Sequence, residues 1–545
     1  MVMILNEKDK YRAWNIGPGI QGMGEKYRFT FSKKMKIILF SLLIVLNLIL
    51  RIPFYPHEYG HDSFVIHILA NSVSQFGYAK WWLNPLSVFG LYPFSVCSAV
   101  PFILSELSQI TGVDMEHVIL LFCFFLGISI IFMAYIFAGV IWDNDIFKFL
   151  VAFGLSLSPS ILNYLTWTIT TRAPFIALLP LFVYTLFKCR TYKLRFALLT
   201  VMLFILLFAT HHLVYFIIPV LIGYLIVVAS YKIKRCIKSV MISHKYITFV
   251  LIIGYFTMFA IPFITRHFIE GSRYEAITEL FFGYLPRYTG ILGIFAVGGF
   301  VYLLFKRGKK NAEWCLLLIL MFLTPFLYIE TYMKWFIPCF IFPFTAIGLI
   351  NVLKLNGRRR KFALFIIINF LLLSVSFSAF YQHWRTKGGK IHLFENYMKE
   401  STYTAGLWAK ENIRGTTTTN DIVFGIKIFS ISEVPHMSAY YDVVDLSYGL
   451  ANINGSKLIK RSITTEDFWF SGPYAKRGGY SSKEYGEAIM GMSYEDYKYS
   501  KYLSIFNFTY FLENKRAGKT PLLRYIQENN YCVYDNGYVN IWTFF

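Results

Sequence analysis

Charge is what this sequence has least of. Only 15% of its 545 residues are Asp, Glu, Lys or Arg, and 56% are hydrophobic. A soluble globular chain carries about 25% charged and about 45–50% apolar residues, so the composition argues against a soluble fold. The seven cysteines lack ligand spacing and only Cys532 lies beyond residue 381, which excludes a disulfide scaffold and a cysteine-rich zinc module. No internal repeat, heptad series, low-complexity tract or glycine-rich nucleotide loop stands out. Acidic residues are scarcer than basic ones, leaving a formal charge of +22. In a soluble protein that surplus would suggest nucleic acid. Here residues 382–545 hold 19 Lys+Arg against 16 Asp+Glu, and the other 19 units of surplus lie among the apolar runs of residues 1–381. Basic residues clustered in short loops orient an integral membrane protein. They do not form a phosphate-binding stripe, and no nucleic-acid partner is expected.

Long apolar runs are what the sequence does have. A bilayer core takes roughly 20 consecutive apolar residues in a helix, with about 17 tolerated. About eleven runs qualify, near 36–54, 117–141, 147–165, 173–187, 196–210, 213–230, 246–264, 290–305, 313–329, 335–353 and 362–381. Pro159, Pro180, Pro325 and Pro343 break or shorten several of them. With residues 1–35 inside, loops 188–195, 231–245, 306–310 and 354–361 become cytoplasmic and carry 4, 5, 4 and 5 Lys+Arg. The alternate loops 52–116, 166–172, 211–212, 266–287 and 330–334 carry 1, 1, 0, 3 and 1. The expected fold is therefore an α-helical polytopic membrane protein of the plasma membrane. It has a basic cytoplasmic N-terminus (1–35), a transmembrane domain (36–381) with a long first exterior loop (52–116), and a small exterior α/β domain (382–545). The first span reads as a retained anchor, because no small-residue cleavage site follows it. The stretch 92–112 reads as loop or as a re-entrant or interfacial helix.

Within 382–545, Glu395–Ile413 reads as an amphipathic helix closed by Gly415 and a threonine run. Asp421–Ile428 reads as a strand. Tyr531–Trp542 reads as two strands joined by Asp535-Asn536-Gly537, a hairpin signal. Asn454 and Asn507 each open an Asn-x-Ser/Thr tripeptide, and nothing in this domain resembles a catalytic constellation.

The chemistry-bearing residues gather on the exterior side. The first span is followed by His57-Glu58-Tyr59-Gly60-His61-Asp62. Two carboxylates four residues apart, with two histidines, suit a general base or a divalent-metal site; the plainer reading is a solvated loop. Arg172 stands at the end of the turn Thr166–Thr171, where it either snorkels to headgroups or faces a phosphate with its planar fork. His211 and His212 sit between two runs with almost no loop, either bonded to backbone or as metal or substrate contacts. Loop 266–287 offers Arg266, His267, Glu270, Arg273 and others, usually a solvated face. Glu330 and Lys334 flank a short apolar turn, where charges are expensive unless paired or used. The spans carry no convincing ionisable residue near mid-membrane, where an ion or proton conductor would need one.

In layout the sequence resembles the GT-C superfamily of polytopic membrane glycosyltransferases. The first loop, with its acids and then Gly77-Tyr78-Ala79-Lys80-Trp81-Trp82-Leu83-Asn84-Pro85 and Gly90-Leu91-Tyr92-Pro93, looks like that of oligosaccharyltransferase catalytic subunits. Lys334-Trp335-Phe336-Ile337-Pro338, with Pro343, is similar to the Arg-Tyr-plus-prolines element of the protein mannosyltransferase and aminoarabinose-transferase branch, with lysine in place of arginine. An exterior domain opening with Leu407-Trp408-Ala409-Lys410-Glu411-Asn412 follows the last span. The Trp-Trp-Asp-Tyr-Gly element of oligosaccharyltransferases is absent; Phe468-Trp469-Phe470-Ser471-Gly472 is a poor substitute.

The resemblance implies transfer of a sugar from a polyprenyl (dolichyl-type) phosphate donor to an exterior protein or lipid acceptor. Asp62, or Glu58 beside it, would be the base or would order a divalent metal (Mn or Mg) together with His61. Arg172 and Lys334 would neutralise the departing phosphate. His57, His61, His211, His212, Arg266, His267 and Glu330 would be further substrate or metal contacts. Two rivals from other classes are a transporter or flippase of lipid-linked glycans and a non-catalytic membrane scaffold.

Overall fold

The computed structural model of the chain describes residues 30–78, 99–189, 193–236, 244–265, 285–329, 332–353, 358–386, 397–436 and 508–544, with isolated positions between them. A helix forms in each of the eleven apolar runs. Among the described residues the first ten α-helices are α1 (Lys33–Ile49), α2 (His61–Phe76), α3 (Ala99–Thr111), α4 (Met115–Ile141), α5 (Asp145–Ser156), α6 (Pro159–Leu162), α7 (Arg172–Lys188), α8 (Lys193–Thr210), α9 (Ile217–Cys236) and α10 (His244–Thr265). Further on come Ile294–Phe305, Asn311–Leu323, Pro338–Leu353 and Arg358–Thr386. Among the described residues four helical stretches are long and apolar enough to cross a membrane: Met115–Ile141, Leu213–Ser230, Tyr246–Thr265 and Lys361–Trp384. Several of the other expected spans coincide with shorter apolar helices. Proline accounts for part of the shortening, since Pro159 starts the four-residue α6 and Pro325 separates Asn311–Leu323 from Phe326–Ile329.

The helices approach closely where side chains are small. A Cβ on Gly299 would run into the Phe344 carbonyl, and one on Gly348 into that of Phe295. Helices Ile294–Phe305 and Pro338–Leu353 therefore touch backbone to backbone. Arg51, just past α1, is 1% exposed and binds Asn47 Oδ1 (2.6 Å), Asn47 O (3.1 Å) and Ser156 O (3.2 Å). It fills the notch left by Gly127, tying α1 to α4 and α5.

Among its described residues the first loop is largely helical. Residues 61–76 and 99–111 are helical, and α2 is buried without a break from Ser63 to Val73. Its polar residues are satisfied individually, as when Asn71 donates to the Ser430 carbonyl at 2.9 Å. They also interrupt any long apolar run, which hid the helix from the sequence.

The C-terminal domain holds a four-stranded sheet in the order β1-β2-β4-β3, where β1 is Thr416–Thr419, β2 Phe508–Asn514, β3 Cys532–Asp535 and β4 Val539–Thr543. β1 runs parallel to β2 and the other pairs are antiparallel. The expected hairpin is present, with Gly537 at φ +85 in its turn. The helix expected over 395–413 spans Glu400–Asn412. The strand expected at 421–428 is instead the helix Ile422–Ser432, capped by Asp421, which accepts from Val423 N (3.1 Å) and Phe424 N (3.2 Å); the strand is the threonine run before it. Asn454, Asn507 and Phe468–Gly472 lie outside the described residues. Ile426, Phe429 and Ile431 of this helix join the main hydrophobic core together with α2.

One buried group makes this domain sensitive to pH. His436 is fully buried, with Nδ1 2.9 Å from Thr417 Oγ1. Burial pushes its pKa down to about 3, against about 6.5 in an unfolded chain. The unfolded state binds the extra proton, so the contribution is full above about pH 6.5 and lost as the pH falls toward 3, by at most about 1.4 kcal/mol per unit. Hydrogen exchange at Thr416–Thr419 should accelerate as the pH falls from 6.5 to 5, after correction for intrinsic rates. In His436→Gln that pH dependence should vanish; an unchanged slope would assign it to another group.

Candidate functional site

The strap from His57 to Gly60 leads from α1 into α2 and is held from beneath. Glu58 is 0% exposed. It accepts from Ser63 Oγ at 2.5 Å and from His67 Nδ1 at 2.7 Å, while its backbone N–H donates to Glu116 Oε1 at 2.8 Å. Ser63 Oγ in turn accepts from Ile169 N at 2.9 Å. Glu58 thus fixes both the start of α2 and the turn Thr166–Thr171. Gly60 sits at φ +98, and a Cβ there would lie 2.6 Å from Thr168 Oγ1, so glycine lets strap and turn meet. In that turn Trp167 adopts φ 49, unusual for a side-chain-bearing residue. Its indole N–H donates to Glu116 O at 3.0 Å.

Asp62, in the first turn of α2, lies at the surface of this arrangement. Its side chain is 47% exposed and pairs with the Arg172 guanidinium, 110 residues away. Arg172 opens α7 and lies over three rings, 4.7 Å from Trp335, 5.2 Å from Tyr164 and 5.7 Å from Tyr332. Lys334 Nζ lies 4.8 Å from the Trp335 ring and 5.7 Å from Tyr288. Arg172 and Lys334 therefore both lie against the Trp335 indole, and Asp62 joins them through its pair with Arg172. His211, buried, accepts from Leu213 N at 3.0 Å and packs 5.7 Å from Tyr332 at the edge of the group. His212 opens a 3-10 turn, and its side chain lies outside the described residues, as do Arg266, His267 and Glu330.

The C-terminal domain reaches this region. His57 has both ring nitrogens on carboxylates, Glu116 Oε1 at 3.2 Å and Glu400 Oε2 at 2.9 Å, and stacks on Tyr403 at 3.9 Å. Burial pulls its pKa down, but the two carboxylates outweigh it and hold the imidazolium above its ordinary value. Tyr55 stacks on Tyr397 at 4.0 Å, and Met398 N donates to Glu58 O at 3.3 Å. Lys427, 7% exposed, donates to Tyr397 O at 2.9 Å. Burial lowers the His61 pKa, opposed by Asp62 and reinforced by Lys427.

The expected metal set of Asp62, Glu58 and His61 is not where potential ligand atoms converge. Among the described residues the convergent group of three is Asp114, Glu116 and His117, with ligand atoms within 4.8 Å of one another. Burial alone would raise the Asp114 carboxyl, but His117 outweighs it and holds it below its usual value. Glu58 has both oxygens engaged and none facing solvent. Sequence alone assigns no role to Asp114-Met115-Glu116-His117, whose spacing puts three donors on one helix start, nor to Trp335 and the tyrosines, which a cation draws in only once the chain is folded.

The fold of the described residues, a helical bundle with a small C-terminal sheet, resembles that of several solved structures, an oligosaccharyltransferase and an arabinofuranosyltransferase among them. No family profile and no curated protein matches the sequence. The oligosaccharyltransferase of Archaeoglobus fulgidus, solved with Zn and sulfate, superposes with a TM-score of 0.56 and 12% identity, covering 87% of this chain and 68% of its own. ArnT from Cupriavidus metallidurans, bound to undecaprenyl phosphate, gives 0.51 at 11% identity over 94% of this chain and 98% of its own. The mycobacterial arabinofuranosyltransferase AftD gives 0.50 at 12% identity, over 94% of this chain and 40% of its own. At such identities the likeness is one of fold.

Proposed function

We propose that the chain is a multi-pass membrane glycosyltransferase, with its C-terminal domain outside, that moves a sugar from a polyprenyl-phosphate donor to an exterior protein or lipid acceptor. The observation that carries this is the half-exposed Asp62 carboxylate paired with Arg172, whose guanidinium shares the Trp335 ring with Lys334. In the reaction an acceptor hydroxyl or amide attacks the sugar's anomeric carbon as the bond from that carbon to the phosphate oxygen breaks. Asp62 takes the acceptor's proton. Arg172 and Lys334 stabilise the phosphate charge as it grows on the leaving lipid. Glu58 positions the strap. The lipid tail keeps the donor at the bilayer surface, so that proximity replaces a soluble nucleotide site. Asp114, Glu116 and His117 would hold a divalent cation, with a histidine that suits Zn or Mn better than Mg, and it would supply positive charge beside the strap.

The test is sugar transfer in proteoliposomes given radiolabelled polyprenyl-phosphate sugars and native exterior extract. Wild type should transfer label, and Arg172→Gln should lose about 10²–10³-fold. Translocation of intact lipid-linked sugar without any transfer would favour the flippase and sink the enzyme.

A further inference from the structure

Trp335 carries a hydrogen-bond donor that the described residues leave unused. The residue is 7% exposed, and its indole Nε1 is buried with no hydrogen-bond partner. An orphaned buried N–H is costly in a folded protein, and it persists here in the ring against which both candidate phosphate-binding cations lie. Arg172 Cζ lies 4.7 Å and Lys334 Nζ 4.8 Å from that ring's centroid. Tyr164 and Tyr288 meet the ring edge-on at 5.9 and 6.1 Å, and Tyr332 packs at 5.4 Å. These contacts fix the indole's plane, so its N–H keeps one direction. Among the described residues the other buried indole, Trp167, donates to the Glu116 carbonyl, and the half-buried Trp142 and Trp542 donate to Glu313 and Glu513.

We propose that Trp335 is a positioning residue for the donor. Its Nε1–H bonds a non-bridging oxygen of the lipid phosphate and completes a three-donor cradle with Arg172 and Lys334. This rests on the reading of Arg172 and Lys334 as phosphate-binding residues. The cations supply charge, which attracts an anion from any direction, whereas a single fixed N–H selects one orientation of the phosphoryl group. It thereby aims the sugar at Asp62.

The test uses the full chain in nanodiscs, with polyprenyl phosphate as probe and the uncharged polyprenol as control, each binding constant read by native mass spectrometry. Trp335→Phe keeps an aromatic floor and removes the N–H. A second variant places 3-benzothienylalanine at 335, which keeps the bicyclic shape with sulfur in place of N–H. Both should bind polyprenyl phosphate about ten-fold more weakly, about 1.4 kcal/mol, and bind polyprenol as wild type does. An equal loss for both lipids would mark Trp335 as merely structural and overturn the proposal. Wild-type phosphate affinity in the benzothienyl variant, alongside a loss in Arg172→Gln, would overturn it while leaving the phosphate site standing. Wild type binding phosphate no better than polyprenol would remove the phosphate reading itself, and this inference with it.

Discussion

Asp62→Asn should lower sugar transfer by about 10²–10⁴-fold without moving the unfolding transition. The side chain is 47% exposed and pairs with Arg172. An ion pair so open to water contributes about 0–1 kcal/mol, and asparagine can still accept from the guanidinium through its carbonyl oxygen. What asparagine lacks is the capacity to take the acceptor's proton. The loss should therefore fall on kcat, with the KM for donor unchanged or lower, because Arg172 no longer divides its charge between Asp62 and the phosphate. Initial rates over a range of donor concentrations, paired with thermal unfolding in the same detergent, separate the two effects. Transfer within a few-fold of wild type would move the base elsewhere, with Asp114 and Glu116 the next carboxylates to replace.

The local composition of the site was legible before the fold was. His57 through Asp62 stand out because ionisable residues directly after an apolar run need a reason. Arg172 and Lys334 stand out because cations at short apolar turns are rare. What sequence could not supply was their meeting. Asp62 and Arg172 come together through the packing of α2 and α7 against the turn at Trp167, a contact that no local pattern encodes. Two elements differ from the sequence expectation for opposite reasons. Helix Ile422–Ser432 buries Phe424 and Ile428 in its own domain and Ile426, Phe429 and Ile431 against the main core. A helix apolar on both faces loses its 3.6-residue period and, being rich in isoleucine, looks like a strand. Helix α2 fails in the opposite sense, since buried histidine, asparagine and serine make it look like loop until their partners are seen. The hairpin at Asp535-Asn536-Gly537 was read correctly because its cause is local, a backbone turn that glycine favours.

Glu58 and Asp62, close neighbours in sequence, should part in opposite ways on mutation. Glu58→Ala is expected to destabilise the protein by about 3–5 kcal/mol, the usual result of removing one partner of a buried polar pair. His67 Nδ1 and Ser63 Oγ would both lose their acceptor inside a closed core. Ser63 would then be free to turn away from Ile169 N, so exchange at the Ile169 amide should rise well above wild type. Glu58→Gln should fall between, because its carbonyl oxygen can still accept from Ser63 while its amide nitrogen confronts the His67 donor. Transfer in these variants should fall because the strap and the Thr166–Thr171 turn no longer hold Asp62 and Arg172 in register, and the loss should track the unfolding temperature. The opposite result, full stability and a protected Ile169 amide with transfer abolished in Glu58→Gln, would make Glu58 the reacting carboxylate and reduce Asp62 to a counterion for Arg172. A buried acid can serve as a base only if substrate reaches it, and Ser63, His67 and the turn above close that path. The geometry therefore gives Glu58 the work of holding and leaves Asp62 the work of accepting the proton.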